Sequence, residues 1–175
     1  MKEICLIPYL KTNDAWTIDE PVIREMWRQM VDDNTWKTVF FKGIVENEDT
    51  FIEFMRDPKN AIVTVWTDRP IAIAWLNGFD VGIAYGHFCM FSSCWGNGLS
   101  LKAGHEIVNY WFDFKSDGVP FLSVIIGIMP ETNTLAVKYI KRLGFNMVGV
   151  IPKSLYNYYE RRNIGSVICY RERED

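Results

Sequence analysis

A loop rich in small residues is the clearest candidate for a binding site in this sequence of 175 residues. The glycine loop, residues 92–100, contains the run Trp95-Gly96-Asn97-Gly98 and leads into a stretch with helical spacing of apolar residues. Glycines let the backbone turn sharply and point several N–H groups in one direction, and the following helix adds the positive end of its dipole. The loop therefore suits a phosphate or pyrophosphate group, the alternative being an ordinary connecting loop.

Two familiar phosphate-binding patterns are missing from the glycine loop. A P-loop needs GxxxxGK followed by Ser or Thr, and the sequence contains no such run. The dinucleotide-binding pattern GxGxxG needs a third glycine, but Leu99-Ser100-Leu101 follows Gly98. Neither nucleotide-binding fold is predicted.

The composition excludes several classes of protein. Lys and Arg total 19 and Asp and Glu total 22, which gives a formal net charge of −3. Sequence-independent binding to the phosphates of nucleic acid is therefore not predicted. No apolar run approaches the ~20 residues of a bilayer span, and the N-terminal apolar stretch is too short for a signal peptide. We expect a soluble, cytoplasmic protein without a nucleic-acid or membrane partner.

The cysteines form neither a disulfide framework nor a metal pattern. Four thiols in 175 residues include no CxxC pair, so reduced cysteines are expected. The group His87, Cys89, Cys94 and His105 lacks the spacing of a zinc knuckle. No metal site is predicted.

The elements that position the glycine loop follow from hydrophobic periodicity and turn signals. Apolar spacing, capping residues and breakers predict helices over residues 21–33, 48–57, 99–114 and 134–143. Runs of β-branched and aromatic residues predict strands over 61–66, 71–76, 83–91, 122–128, 145–151 and 167–171. Turns are predicted at 67–70 and at Asn77-Gly78.

The order of these elements predicts an α/β or α+β fold. Antiparallel hairpins come first and a strand-helix-strand unit follows the glycine loop, so the sheet should be mixed, mostly antiparallel and flanked by helices. The 49% hydrophobic composition suffices for the core of one domain of this length. We expect a single domain over residues 1–175.

Two sequence motifs together resemble the GNAT superfamily of N-acetyltransferases. The segment from Trp95 to Ala103 is similar to that family's acyl-CoA pyrophosphate loop. Asn133, Ala136 and then Leu143-Gly144-Phe145 fall at the spacing of the family's asparagine, small helical residue and terminal LGF. The resemblance is close over residues 83–149 and holds in outline before them.

The nearest branch of the family is the ribosomal-protein alanine acetyltransferases. Their WGxGxA loop and the aromatic pair late in the following helix resemble residues 95–100 and then Tyr110 and Phe112. The resemblance implies a GNAT-like domain that binds acetyl-CoA, or another acyl-CoA, as co-substrate. It also implies an N-acetyltransferase in which the amine attacks the thioester directly.

The resemblance assigns the cofactor-binding residues one by one. Backbone groups of Met90 and Phe91 would meet the pantetheine arm, and Asn133 would hydrogen-bond its amide-bearing part, unless Asn133 serves only as a helix N-cap. Trp95 replaces the usual Arg or Gln of the loop, and Ser100 replaces Gly or Ala. The pyrophosphate would accept N–H groups from the remaining set: Trp95, Gly96, Asn97, Gly98, Leu99 and Ser100.

The catalytic positions of the family hold unreactive residues in this chain. Ala84 stands at the position of the glutamate base and Ile140 at that of the tyrosine acid. His87 on the same strand and Tyr139 on the same helix are the substitute base and acid, and a packed structural role is the alternative for each. Cys89 could become acylated beside the cofactor, or could be a small buried hydrophobe.

The acceptor is an amine of a small molecule or of a peptide amino terminus. Mild acidity suits a cationic amine or a basic peptide amino terminus, although a net charge of −3 is too small to decide between them. The alternative function is a binding or structural module of the same fold without turnover, which the residues at positions 84 and 140 would permit.

Overall fold

A seven-stranded sheet forms the centre of the computed structural model, which describes residues 3–96 and 98–174. The strands are β1 (Cys5–Tyr9), β2 (Lys11–Thr12), β3 (Ala15–Trp16), β4 (Ala61–Trp66), β5 (Pro70–Asp80), β6 (Ile83–Met90), β7 (Lys115–Ser116), β8 (Val119–Pro120), β9 (Val124–Pro130), β10 (Asn146–Asn157) and β11 (Arg162–Glu172). The helices are α1 (Glu20–Asp32), α2 (Trp36–Val39), α3 (Glu48–Arg56), α4 (Leu99–Asp113) and α5 (Thr134–Arg142), and Ser92–Cys94 form a 3₁₀ turn. The sheet order is β1-β4-β5-β6-β9-β11-β10, with β2–β3 and β7–β8 as separate small hairpins.

The centre of the sheet contains its parallel pair of strands, β6 and β9. Their register runs from Ile83 opposite Val124 to Tyr85 opposite Ile126, while the other neighbours in the sheet are antiparallel. Beyond Tyr85 the described residues of the two strands no longer pair. We call the space between residues 86–90 of β6 and 127–130 of β9 the strand gap.

Each face of the sheet has its own hydrophobic core. One core packs α4 and α5 against the sheet, and the other packs α1 and α3 against the opposite face. Adjacent residues of β5 point to opposite faces, so Ala74 lies in the first core and Trp75 in the second. The predicted mixed, mostly antiparallel sheet flanked by helices is confirmed.

The predicted turn at Asn77-Gly78 is wrong. Strand β5 continues to Asp80, and the register shift between Asn77 and Asp80 marks a bulge. The Asn77 side chain donates to Asn60 Oδ1 at 3.4 Å and lies 3.0 Å from His87 Nε2, which holds this residue in the sheet. The chain turns at residues 81–82 instead.

The remaining elements match the predicted order, with additions. Strand β1, helix α2 and the two small hairpins have no counterpart in the sequence prediction, and β10 and β11 extend well beyond their predicted bounds. None of the described helices combines the length and apolar character of a bilayer-spanning segment. The described residues include no cluster of three or more His, Cys, Asp or Glu placed to hold a metal ion.

Candidate active site

Backbone groups of β6 and β9 point into the strand gap. Phe91 N–H donates to Ile71 O of β5 at 2.9 Å, and antiparallel pairing alternates from there, so Phe88 and Met90 turn their N–H and C=O groups toward the gap. On the other side, Glu131 N–H donates to Gly165 O at 2.9 Å, and the same alternation turns Ile128 toward the gap. An extended amide chain could pair with these groups as an additional strand.

The backbone of Phe91 is engaged within the protein. Its N–H donates to Ile71, and its carbonyl oxygen accepts from Cys94 N–H at 3.0 Å. The side chain of Phe91 is fully buried. Phe88, which the sequence did not single out, shares the direction of Met90 and completes the gap-facing edge of β6.

Trp95 ties the glycine loop to the end of β6. Its indole Nε1–H donates to the carbonyl oxygen of Met90 at 3.0 Å, and its backbone N–H donates to Ser92 O at 3.0 Å. The side chain remains 48% exposed. The Met90 carbonyl is therefore occupied, and the Met90 N–H remains available to the strand gap. The same hydrogen bond fixes Trp95 at the entrance of the loop.

The glycines of the loop border open space. Gly96 and Gly98 have φ of +76° and +77°, in the left-handed region that favours glycine, and a Cβ built on either meets no described atom within 4 Å. Gly98 is the N-cap of α4 and brings no capping side chain, and the first turn of the helix contains no acidic residue. First-turn amides have no acceptor inside their helix, so Ser100 and Leu101 leave N–H groups, and α4 its positive dipole end, available to an anion. Asn97 lies outside the described residues.

Asp33 holds the start of the glycine loop. This residue caps the C-terminus of α1, and its Oδ2 accepts the Ser92 N–H at 2.7 Å. The first N–H of a 3₁₀ turn has no acceptor within the turn, so the carboxylate satisfies an otherwise orphaned donor. The loop is therefore fixed from α1 as well as from Trp95.

Asn133 caps helix α5. Its Oδ1 accepts from the Ala136 N–H at 3.1 Å, which matches the capping role considered for it from the sequence. Asn133 also lines a cavity beside the end of β9. The contact of Asn133 with a cofactor arm stays a prediction.

Tyr139 joins α5 to α4. Its hydroxyl donates to the carbonyl oxygen of Ser100 at 2.8 Å, next to Gly104, and its ring packs edge-on against Phe88. Burial raises the pKa of the Tyr139 hydroxyl well above its usual range. Ile140, the neighbouring residue at the family's acid position, is buried in the core.

His87 is packed on the α1–α3 side of β6. Its ring stacks on Trp75 with centroids 4.9 Å apart, and its Nε2 lies 3.0 Å from Asn77 Oδ1. Because the Asn77 amide nitrogen donates to Asn60, its oxygen faces His87, which assigns the proton to Nε2. Burial, and then the charge of Lys42, lower the pKa of His87 to about 4, so the ring is uncharged at neutral pH.

The base position and the nearby thiol are both buried. Ala84 is fully buried in the core under α4. Burial raises the pKa of the Cys89 thiol to about 12, and Thr35 Oγ1 lies 3.9 Å from its sulfur. A thiol with such a pKa stays protonated and unreactive at neutral pH.

A cavity of about 390 Å³ opens beside the end of β9, between α2, the start of α5 and the β10–β11 turn. We call it the hairpin cavity. It is lined by Lys37, Thr38, Phe41, Pro130, Thr132, Asn133, Thr134, Leu135, Asn157, Tyr159 and Glu160. Its volume is in the range of small-molecule sites. Its lining includes Asn133, one of the predicted cofactor-binding residues.

The β10–β11 turn is fixed against the chain that follows α2. Asn157 is buried, and its Oδ1 accepts from Tyr159 N–H at 3.1 Å and Glu160 N–H at 3.2 Å. Tyr158 N–H donates to Phe41 O at 2.9 Å. The wall of the hairpin cavity is therefore held by a backbone hydrogen bond between segments more than one hundred residues apart.

The comparisons with known proteins rest on structure alone. No family model matches the sequence, and no curated protein matches it. Solved structures of acetyltransferases do match in three dimensions, at 10–16% sequence identity. At such identities the likeness establishes the fold.

Three of these structures show the extent of the likeness. The microcin C7 self-immunity acetyltransferase, in complex with acetyl-CoA and AMP, has 15% identity and a TM-score of 0.74, with 98% of this chain and 93% of that chain covered. Spermidine N-acetyltransferase from Vibrio cholerae, in complex with CoA and spermine, has 15% identity, a TM-score of 0.73 and coverage of 97% and 95%. Ribosomal-protein-S5-alanine acetyltransferase from Vibrio fischeri has 11% identity, a TM-score of 0.71 and coverage of 100% and 96%. The fold is that of the GNAT acetyltransferases.

Proposed function

We propose that this chain, which has the GNAT fold, is an N-acetyltransferase that uses acetyl-CoA as co-substrate and acts in the cytoplasm. The observation that carries the proposal is the strand gap with the glycine loop at its end. Phe88 and Met90 direct backbone groups into the gap, and the open side of Gly96 and Gly98 lies directly after it. A fold that served only as a scaffold would have no need for this arrangement.

The cofactor would bind along one continuous path. The pyrophosphate would occupy the glycine loop and the N-terminus of α4, where N–H groups and the helix dipole favour an anion. The amide-bearing arm would pair with β6 through Phe88 and Met90, and Asn133 would contact it from α5. This path directs the thioester away from the loop and into the strand gap.

The reaction requires attack by an uncharged amine. The nitrogen lone pair attacks the thioester carbonyl carbon, a C–N bond forms, the C–S bond breaks and the thiolate leaves with its electron pair. The amine proton passes to water or to the departing sulfur. Backbone N–H groups that face the strand gap would stabilise the negative charge that develops on the carbonyl oxygen.

The structure favours a reaction without a strong general base. His87, the predicted base, has a pKa lowered to about 4 by burial, so it is uncharged but only weakly basic near neutrality. The hydroxyl of Tyr139, the predicted acid, already donates a hydrogen bond to the carbonyl oxygen of Ser100. We therefore propose that the amine binds in its deprotonated form, and that His87 and Tyr139 contribute mainly by packing.

The acceptor would bind in the hairpin cavity. Amine-bearing acceptors are supported by the fold neighbours: one binds spermine, and another is named for the alanine of a ribosomal protein. In this chain the cavity adjoins Asn133 and is bounded by residues that the sequence left unassigned, Lys37 and Glu160. The alternative, a binding module of the same fold, would take up acetyl-CoA without turnover.

Acetyl-CoA binding tests the proposal first. Titration of acetyl-CoA should raise the free energy of unfolding by about 2.7 kcal/mol at one hundred times Kd. For a chain of this size that corresponds to a Tm increase of about 5–11 °C. No increase at millimolar acetyl-CoA would refute the proposal, and release of free thiol with an amine present would separate the enzyme from the binding module.

Two glycines provide a matched pair of variants. Gly98 and Gly118 both have positive φ, +77° and +78°, and a Cβ on either meets no described atom within 4 Å. Gly98→Val and Gly118→Val should therefore lower stability by similar amounts, about 1–3 kcal/mol each. Only Gly98→Val should abolish acetyl-CoA binding, because Gly118 lies in the remote β7–β8 hairpin.

A further inference from the structure

We infer that the acceptor amine also carries an anionic group, a carboxylate or a phosphate, which binds Lys37 in the hairpin cavity. This inference rests on the proposed function and names its substrate class. It follows from the charges that line the cavity, which consist of one carboxylate, Glu160, and one ammonium, Lys37.

The carboxylate of Glu160 is already neutralised. Its Oε1 accepts from Asn157 Nδ2 at 2.9 Å, and its Oε2 accepts from Arg162 Nε at 2.6 Å and Nη2 at 2.5 Å. Both guanidinium nitrogens meet the same carboxylate oxygen, and a charge-assisted contact of this kind is shorter and stronger than one between neutral groups. Glu160 therefore has little capacity left to attract a cationic substrate.

Lys37 retains its charge within the cavity. Among the residues that the structure describes, none supplies a carboxylate partner for its ammonium group. Its Nζ lies 5.3 Å from the centroid of the Trp36 ring and 5.7 Å from that of Tyr159. Aromatic faces position a cation without cancelling its charge, so the ammonium is held in place for an anion.

Two other carboxylates lie near the cavity but do not line it. Glu131 accepts the Gly165 N–H through Oε1 at 2.9 Å, which turns it toward β11. Glu46 affects Tyr159 electrostatically: the pKa of the Tyr159 hydroxyl is raised by burial and then by the negative charge of Glu46. Neither residue belongs to the cavity wall, so the lining keeps one unneutralised positive charge.

The hydroxyls of the cavity suit an anion as well. Thr38, Thr132 and Thr134 line the cavity alongside Lys37 and can donate to carboxylate or phosphate oxygens. A polycation would be repelled by Lys37 and would find no free carboxylate. The local charge thus opposes the cationic acceptor that the net charge of −3 suggested.

Matched pairs of amines test the inference. We would measure kcat/KM by release of CoA thiol for α-amino acids against their amides, for O-phosphoethanolamine against ethanolamine, and for spermidine as the polycation. For the pair of amines that the protein acetylates most efficiently, kcat/KM of the anionic member should exceed that of the uncharged member by about 10- to 100-fold. This is the range expected of a hydrogen-bonded charge. Carboxylate and phosphate pairs distinguish the two sources of negative charge.

Variants of one lysine then locate the effect. Lys37→Met should reduce the ratio within a pair to near one and leave acetyl-CoA binding unchanged, whereas Lys37→Arg should retain the preference. Lys115→Met, the same loss of charge on the remote β7 strand, should leave the ratio as in the original chain.

Three results would overturn the inference in a chain that binds acetyl-CoA. These are a preference for amides or spermidine, a ratio that Lys37→Met leaves intact, and no turnover of any anionic amine. Failure of the unaltered chain to bind acetyl-CoA would instead refute the proposed function itself.

Discussion

Replacing Gly104 by alanine is expected to destabilise the contact between α4 and α5. Through the hydrogen bond from Tyr139 to Ser100, this contact holds the end of the glycine loop. A Cβ built on Gly104 would overlap the Tyr139 hydroxyl oxygen and lie 2.8 Å from both Cδ atoms of Leu143. In an open helix interior this substitution would stabilise by about 1 kcal/mol. Here the added methyl must displace Tyr139 from Ser100, and overpacking of this kind costs about 1–3 kcal/mol. With about 1 kcal/mol added for the hydrogen bond lost between Tyr139 and Ser100, we expect a net loss of about 2 kcal/mol.

A double-mutant cycle separates the overlap from other effects of the substitution. Tyr139→Phe alone removes the hydrogen bond to Ser100 and should cost about 1 kcal/mol. It also removes the atom that Gly104→Ala would overlap, so the double variant should lose less stability than the two single variants combined. Urea unfolding of the four proteins should give a coupling free energy of about 1 kcal/mol or more. Additive effects within 0.5 kcal/mol, or a stabilising Gly104→Ala, would refute the overlap.

The same Tyr139→Phe variant decides the role of the hydroxyl in the reaction. Because the hydroxyl donates to Ser100, we expect kcat to remain close to that of the unaltered chain once acetyl-CoA is saturating. A general acid typically contributes 10²–10⁴-fold. A fall of that size in kcat, in protein shown to be folded, would identify Tyr139 as the acid after all.

Three further variants test other contacts of the site. Burial lowers the pKa of His87 below its unfolded value of 6.5 to about 4, so the unfolded chain binds the proton more readily. The free energy of unfolding should therefore fall as the pH drops from about 6.5 to 4, and it should fall less in His87→Gln. Asp33→Ala, which removes the acceptor of the Ser92 N–H, should raise the Kd of acetyl-CoA about tenfold by calorimetry, whereas Asp33→Asn keeps an acceptor and should raise it less. Trp95→Phe, which loses the bond to Met90 O, should raise that Kd about threefold to tenfold and remove most of the tryptophan fluorescence change on binding.

The cofactor side of the site is predictable from the sequence because its signals are local. The glycine loop, the Asn133 cap and the Gly144 helix end each depend on a few adjacent residues, and the structure places all three at the predicted helix boundaries. The direction in which the backbone N–H and C=O groups of β6 point cannot be predicted in this way, because it depends on strand register. A shift of one residue exchanges Phe88 for a neighbour of opposite direction, and no local pattern fixes that choice.

The hairpin cavity, the proposed acceptor site, could not be predicted because it is assembled from distant segments. Helix α2 is a single turn of four residues, too short for a periodic signal. The β10–β11 turn meets the chain that follows α2 through the hydrogen bond between Tyr158 and Phe41. For Tyr159, one aromatic among many in the sequence, core packing was the simpler explanation. Tyr159 lines the hairpin cavity and meets the Trp36 ring edge-on, with centroids 5.2 Å apart, while Trp36 packs against the α1–α3 core.

The charge of Lys37 also bears on the proposed reaction without a strong general base. An anionic group on a free amine favours the protonated nitrogen, because opposite charges within one molecule attract. Once Lys37 pairs with that group, the attraction is cancelled and the nitrogen loses its proton more readily. An anionic acceptor bound at Lys37 would therefore compensate in part for the alanine at position 84. The pH at which kcat/KM levels off should then follow the pKa of the acceptor amine rather than that of His87, and it should shift between acceptors of different basicity.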